Sequence, residues 1–267
     1  MKKIVFVVLM VIISFFALLY FSQEKFIFHP CHDLEAYAVL SSDSRLEAVD
    51  IDGLTGWMMH NVDGNAPIVV FFGGNAQNSS ATFQYYLEND IFTYYEGYNV
   101  LMVDYSGFGT STGKIKNEKN FFEAALKVYD YAKTRATDIV VMGYSIGTGP
   151  ATYVASQREV KGLILLAPYD RLTSLYNSTI PVFYGPMELL VKYKFDSLLY
   201  SENVKVNPLI IASKTDEVIN YKLSTNLART FDCELVSLDG VPHNYISTDT
   251  VTLEKIHEYL GQGGVVE

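Results

Sequence analysis

Short apolar runs separated by turn residues recur along most of the chain and predict a β-sheet. Residues 46–51 and 54–60 flank Asp52-Gly53, a pair that favours a tight hairpin turn. Six later runs are almost continuously apolar, which is typical of strands buried on both faces of a parallel sheet. They cover residues 67–72, 99–104, 138–142, 161–167, 207–212 and 233–238.

Helical periodicity marks most of the segments between these runs. Residues 119–133, for example, place Phe122, Leu126 and Tyr129 on one stripe. Further helices are predicted at residues 79–89, 145–156, 221–230 and 245–260. A hairpin followed by alternating strands and helices predicts an α/β fold with an eight-stranded, mostly parallel sheet, an antiparallel start and helices on both faces. Ligands of such sheets bind beyond the carboxyl ends of the strands.

The amino-terminal segment has a different pattern. Lys2 and Lys3 precede an apolar run over residues 4–21, interrupted only by Ser14, which is close to the shortest helix that spans a bilayer. A cleaved signal peptide and an uncleaved anchor are the two interpretations. Residues 22–25 lack a small-x-small cleavage pattern, so we expect an anchor over 1–22 and a connector over 23–45. The two lysines would keep the amino terminus cytoplasmic and place the rest of this single-pass protein on the non-cytoplasmic side.

Composition narrows the class of protein. The chain has 267 residues, of which 49% are hydrophobic, and this length and apolar content suffice for one large domain, which we place at 46–262. Its net charge is −10. The acidic balance argues against a nucleic-acid surface, which requires a basic patch. Cys31 and Cys233 form neither a disulfide framework nor a metal-ligand pattern. We expect two unpaired thiols and no metal; a single bridge in an oxidising compartment is the alternative.

The candidate chemistry begins at Gly143-Tyr144-Ser145-Ile146-Gly147, between the run at 138–142 and the following helix. A G-x-S-x-G pattern between a strand and a helix presents its serine on a strained turn at the sheet edge. Ser145 is therefore the predicted nucleophile. Taken alone, the motif also fits a glycine-rich turn without chemistry.

A serine needs a base to accept its proton, and in this fold the histidine comes last in the chain. Only His243 and His257 follow Ser145. His257 lies within the predicted terminal helix, whereas His243 lies in the loop after the last strand. His243 is the predicted general base.

The orienting carboxylate is expected at the end of a strand between the serine and the histidine. Asp216 follows the strand at 207–212 and is our prediction. Glu217 is adjacent, but the shift of one residue redirects its side chain. Asp170 is the alternative. Asp104 precedes the serine, and we expect it to hold a loop through local hydrogen bonds.

The oxyanion of an acyl-transfer intermediate requires backbone donors. We expect one from the N–H of Ile146 and the second from the N–H of Asn75, in the loop Gly73-Gly74-Asn75-Ala76 after the strand at 67–72.

These motifs, in this order, resemble the α/β-hydrolase family over residues 46–260. The resemblance rests on residues 143–147, 73–76, 104–111, 215–217 and 242–244. The chain looks most like the membrane-anchored branch that includes lysophospholipase-like, depalmitoylase-like and serine-aminopeptidase-like enzymes, although Gly73 stands where that branch often has histidine. The resemblance implies a catalytic triad of Ser145, His243 and Asp216, and no cofactor.

Residues 171–206 are longer than a simple crossover between two strands needs and are rich in aromatic residues. A small cap over Ser145 and a crossover helix with a long loop both fit this segment.

The leading hypothesis is a membrane-anchored serine hydrolase that cleaves carboxylic ester or thioester bonds of lipid or other acyl substrates. A serine peptidase with the same triad, and a non-catalytic binding module on the same fold, are the alternatives. Neither the acyl chain nor the head group follows from the sequence.

Overall fold

Eight strands form one sheet in the computed structural model, which describes residues 2–179 and 181–264. The strands are β1 Leu46–Ile51, β2 Leu54–Met59, β3 Ile68–Phe72, β4 Asn99–Val103, β5 Ile139–Tyr144, β6 Gly162–Leu166, β7 Leu209–Ser213 and β8 Leu235–Leu238. The helices are α1 Lys2–Ile27, α2 Leu34–Leu40, α3 Ser79–Glu88, α4 Glu118–Arg135, α5 Thr148–Gln157, α6 Leu172–Thr179, α7 Ser197–Ser201, α8 Tyr221–Phe231 and α9 Thr250–Gly261.

The strand order is β1-β2-β4-β3-β5-β6-β7-β8. β2 pairs antiparallel with both β1 and β4, and the pairs from β4 to β8 are parallel. The predicted fold class, an eight-stranded α/β sheet with an antiparallel start, is therefore confirmed. β5 lies between β3 and β6 in the middle of the sheet, so its carboxyl end opens onto the centre of the sheet edge.

Burial on both faces explains why the central strands are continuously apolar. Val69 and Val140 belong to the core on one face of the sheet, and Val70 and Val141 belong to the core on the other. Side chains alternate between faces along a strand, so both sets must be apolar when both faces are covered.

A third apolar cluster lies at the carboxyl ends of the strands. It contains Ile146, which follows the predicted nucleophile, and the buried rings of Phe121 and Phe195, which stack with centroids 5.2 Å apart. Ile27 and Phe28, from the end of α1 and the next residue, are part of it. The amino-terminal helix thus ends inside the apolar packing beside the predicted site.

Helix boundaries differ from the sequence prediction in several places. The helix predicted at 145–156 begins as a 3-10 helix, Ser145–Gly147, and continues as α5. The helix predicted at 245–260 is divided into a 3-10 helix, His243–Thr248, and α9. Asp249 separates them because its backbone is extended and its side chain accepts hydrogen bonds from the N–H groups of Val251 and Thr252, which starts a new helix. In the connector, α1 continues to Ile27 and α2 was not predicted.

α1 is long and apolar enough to cross a bilayer. Within its candidate span, Lys2–Lys25, the most apolar 18-residue window has a mean hydropathy of 3.0, and none of that window is buried. Twenty-four helical residues extend for about 36 Å, compared with about 30 Å for the hydrocarbon core of a bilayer.

Candidate active site

Ser145 lies at the turn between β5 and α5, in a left-handed backbone conformation with φ 53°. Two glycines make this turn possible. A Cβ on Gly143 would lie 2.4 Å from the carbonyl oxygen of Gly147, and a Cβ on Gly147 would lie 2.1 Å from the carbonyl oxygen of Phe72. Both contacts are with backbone that cannot move aside, so the glycines of the motif are required by packing.

His243 connects Ser145 with Asp216. Its Nε2 lies 2.9 Å from Ser145 Oγ, and its Nδ1 lies 2.7 Å from Asp216 Oδ2. Ser145 is 6% exposed and His243 5%, while the side chain of Asp216 is 2% exposed. Three residues from three separate strand ends therefore form one buried chain of hydrogen bonds.

Backbone donors hold the carboxylate of Asp216. Its Oδ1 accepts hydrogen bonds from the N–H groups of Val218 and Ile219, at 2.8 and 2.7 Å. The second oxygen is thereby directed towards His243. Because the loop after β7 supplies both donors, the orientation of the carboxylate is set before any substrate binds.

Two further residues hold His243, and sequence reasoning assigned neither of them this role. The Tyr144 hydroxyl donates to the His243 carbonyl oxygen at 2.7 Å, and the two rings stack with centroids 5.4 Å apart. Burial raises the pKa of Tyr144, which keeps the hydroxyl a donor. The Glu217 carboxylate accepts from the His243 N–H at 3.0 Å, and this bond lowers the pKa of Glu217. The only sequence signal for these contacts was adjacency to Ser145 and to Asp216.

The other candidates lie elsewhere. The Asp170 carboxylate accepts from the Asn226 side chain at 3.0 Å, and His257 lies on α9. The buried Asp104 carboxylate accepts from the Ser79 N–H and hydroxyl at 2.6 and 2.8 Å, and burial raises its pKa to about 6. Among the described residues, no cluster of three or more His, Cys, Asp or Glu could hold a metal ion. Cys31 and Cys233 are both free.

The loop after β3 approaches the same space. Gly74 packs against the Tyr144 ring, where an added Cβ would lie 2.9 Å from two ring carbons. Asn75 follows, and its N–H donates no hydrogen bond within residues 2–179 and 181–264. Its side chain points towards the connector, where it contacts Ile27 and His29.

A cavity of about 500 Å³ adjoins the site. Asn75, Tyr144 and Asn244 line it, together with the rings of Tyr85 and Tyr245. The cavity therefore borders the neighbours of both Ser145 and His243, and its volume suits a small organic ligand.

Comparison with known proteins agrees with this architecture. A family model described as alpha/beta hydrolase fold matches residues 67–214. The human protein ABHD12B is 34% identical over 230 residues, which cover 75% of this chain and 62% of that protein. Human alpha/beta hydrolase domain-containing protein 17B is 30% identical over 175 residues, covering 61% of this chain and 57% of that one. The chain thus spans less than two thirds of the length of these relatives.

Solved structures show the same fold. An esterase of Pyrococcus furiosus superposes with a TM-score of 0.68 at 20% identity, covering 88% of this chain and 98% of the esterase. Est1E of Butyrivibrio proteoclasticus, solved with ferulic acid bound, superposes with a TM-score of 0.66 at 20% identity, covering 81% and 98% of the two chains.

Proposed function

The chain belongs to the α/β-hydrolase family, and from that premise we propose that it is a membrane-anchored serine hydrolase that cleaves carboxylic ester or thioester bonds. The observation that carries the proposal is the position of His243, which bridges Ser145 Oγ and Asp216 Oδ2 at the central strand end. Such a bridge supplies a nucleophile, its base and the group that orients the base.

The reaction proceeds in two acyl transfers. Ser145 Oγ attacks the carbonyl carbon while its proton passes to His243 Nε2, and Asp216 stabilises the imidazolium through Nδ1–H. The bond to the leaving oxygen or sulfur then breaks, and Nε2–H returns the proton to the leaving group. Water attacks the acyl-enzyme in the same way, releasing the carboxylic acid and restoring Ser145.

The proposed oxyanion donors are the backbone N–H groups of Ile146 and Asn75. The N–H of Asn75 donates to no group in the described part of the chain, which supports its part in this pair. Each such donor contributes about 10²–10³ in rate, because it is already oriented when charge develops on the oxygen.

Anchoring and substrate class belong to the same proposal. α1 would supply the membrane anchor, with Lys2 and Lys3 on the cytoplasmic side and the catalytic domain, 46–262, on the other. The connector, 23–45, joins the two, and the proposed small cap over Ser145 lies within residues 171–179 and 181–206. An enzyme held at a bilayer next to a cavity lined with aromatic rings suits lipid or other acyl substrates.

The test uses the full chain in detergent micelles. Ser145→Ala should abolish labelling by a fluorophosphonate probe and hydrolysis of p-nitrophenyl acyl esters. Ser156→Ala is the matched control, because this half-buried serine lies on α5 and its hydroxyl donates only to the carbonyl of its own helix. Labelling that persists in Ser145→Ala contradicts the assignment of the nucleophile. Turnover of aminoacyl anilides without turnover of esters contradicts the ester preference.

A further inference from the structure

The side-chain amide of Asn75 uses its full hydrogen-bonding capacity, and three of its four bonds go to the segment that leaves α1. Nδ2 donates to the Ile27 carbonyl and to His29 Nδ1, both at 2.7 Å. Oδ1 accepts from the His29 N–H at 2.9 Å and from the Ala76 N–H at 3.1 Å. A primary amide has two N–H donors and an oxygen that accepts two bonds, so no capacity is left unused.

These partners also settle which end of the amide is nitrogen. The Ile27 carbonyl can only accept and the His29 N–H can only donate, so exchanging oxygen and nitrogen would oppose like groups at both. Since Nδ2 has only donors, His29 Nδ1 must accept, which leaves the imidazole proton on Nε2. Asn75 therefore recognises this segment of the chain in one orientation.

The bond to Ile27 closes the end of a helix. The last carbonyls of a helix lack partners within it, and Asn75 supplies one from a loop 48 residues away. Ile27 and Phe28 are each 6% exposed, and the Phe28 ring lies 5.5 Å from Phe121 and 5.1 Å from Tyr193. The end of α1 is thus both capped and packed.

Other contacts join the same segment to neighbouring loops. The Gly109 N–H donates to the Cys31 carbonyl at 2.8 Å. The Gln23 amide donates to the Leu190 carbonyl at 2.6 Å and accepts from the Lys192 N–H at 2.9 Å. The last turn of α1 and the residues after it are held by three loops at the carboxyl edge of the sheet.

We propose that Asn75 is a positioning residue that couples the end of α1 to the oxyanion loop. Its side chain holds residues 27–29, and this attachment fixes the backbone of the loop, so that the Asn75 N–H faces the oxyanion. The loop needs such support because Ala76 has a left-handed backbone, φ 56°, which a non-glycine residue adopts only under constraint. The inference rests on the proposed hydrolase function and adds that the apolar helix supports the catalytic geometry.

The experiment measures kcat and KM for p-nitrophenyl butyrate, a small soluble ester, on full-length protein in micelles. Asn75→Ala retains the backbone N–H but releases the loop, so kcat should fall roughly 10- to 100-fold while KM stays within about twofold. This decrease should not exceed the decrease in rate that follows removal of a complete oxyanion donor. The kcat of Asn75→Asp should fall at least as far as that of Asn75→Ala, because a carboxylate oxygen would replace Nδ2 and face the Ile27 carbonyl.

A double-mutant cycle tests whether the two partners act as one unit. His29→Ala removes the acceptor at Nδ1 but leaves the His29 N–H, so it should lower kcat by a smaller factor than Asn75→Ala. The double variant should be no slower than Asn75→Ala alone, because the attachment is already lost. Additive losses would contradict a shared attachment.

Asn117→Ala is the matched control. The Asn117 side chain accepts from the Asn120 N–H at 2.8 Å at the start of α4, so its loss should lower the unfolding midpoint without changing kcat. A wild-type kcat in Asn75→Ala overturns the coupling. A fractional loss of activity equal to the fraction of protein that is unfolded in the same buffer also overturns it, because unfolding alone would then explain the loss. Should Asn75→Ala fail to fold, the same criteria apply to His29→Ala. If the wild type itself neither turns over ester nor reacts with the fluorophosphonate, the proposed hydrolase function fails instead.

Discussion

Replacing Asp216 by asparagine changes one atom of the site and should reverse the roles of both nitrogens of His243. In the native arrangement Asp216 Oδ1 accepts from the N–H groups of Val218 and Ile219, and Oδ2 faces His243 Nδ1 at 2.7 Å. An asparagine carbonyl oxygen must take the place of Oδ1, since an NH₂ group there would oppose two N–H donors. The NH₂ group then faces Nδ1.

A donor at this position makes Nδ1 an acceptor, so the imidazole proton moves to Nε2. Nε2–H cannot accept the Ser145 proton, and general-base catalysis is lost. Turning the amide around would leave two backbone donors unsatisfied, at a cost of about 1–3 kcal/mol each, so the protein does not escape by this route. We expect kcat to fall by about 10⁴, or roughly 5 kcal/mol of transition-state stabilisation.

The assay compares p-nitrophenyl ester turnover and the rate of fluorophosphonate labelling in Asp216→Asn, Glu217→Gln and Asp170→Asn. Glu217→Gln keeps an oxygen that accepts from the His243 N–H, so it should retain activity within about tenfold. Asp170→Asn alters a buried carboxylate that does not contact His243, so it should also retain activity within about tenfold. Activity of Asp216→Asn within tenfold of wild type refutes the reasoning. Loss of activity in Asp170→Asn alone would assign the role of orienting carboxylate to Asp170.

Two further predictions concern stability. Burial raises the pKa of Asp104 to about 6 from its ordinary value of 3.8, so the folded state holds this proton more tightly than the unfolded state does. The free energy of unfolding should therefore fall by up to about 3 kcal/mol as pH rises from about 4 to 6. Asp104→Asn should remove that part of the slope in urea titrations at pH 4, 5, 6 and 7; equal slopes contradict it. Gly147→Ala would place a Cβ 2.1 Å from the Phe72 carbonyl oxygen and should cost about 3 kcal/mol or more, whereas Gly261→Ala, with open space around its Cβ, should not destabilise. A Gly147→Ala protein with a wild-type urea midpoint would show that the turn can relax.

The parts of this fold that follow from local pattern were predictable from the sequence. The central strands had to be continuously apolar because both of their faces are covered, and that pattern is visible without coordinates. Gly143 and Gly147 predict the turn at Ser145, and close backbone contacts around the turn require both glycines. His243 stood out because His257, the other histidine after Ser145, belongs to a helix.

Contacts between distant residues outside the predicted triad were not predictable in the same way. The Tyr144 hydroxyl meets the carbonyl of a residue 99 positions later, and the Asn75 amide meets residues 46 and 48 positions earlier. Periodicity describes which face of an element is apolar, but it does not say which polar groups meet when elements assemble. The loop sequence predicts a role for the backbone N–H of Asn75, but it does not indicate the hydrogen bonds that the side chain makes.

The short distance between exposed Phe21, at the end of the apolar run, and buried Ile27, at the end of α1, affects how a membrane-anchored hydrolase would meet its substrates. From Phe21, 74% exposed, to Ile27, 6% exposed, the chain is continuous helix with six residues of rise, roughly 9 Å. If α1 spans the bilayer as proposed, the catalytic edge has almost no tether length and stays beside the lipid head groups. Turnover of an embedded substrate would then follow its mole fraction among the lipids, and diluting it with inert lipid would slow the enzyme even at constant bulk concentration.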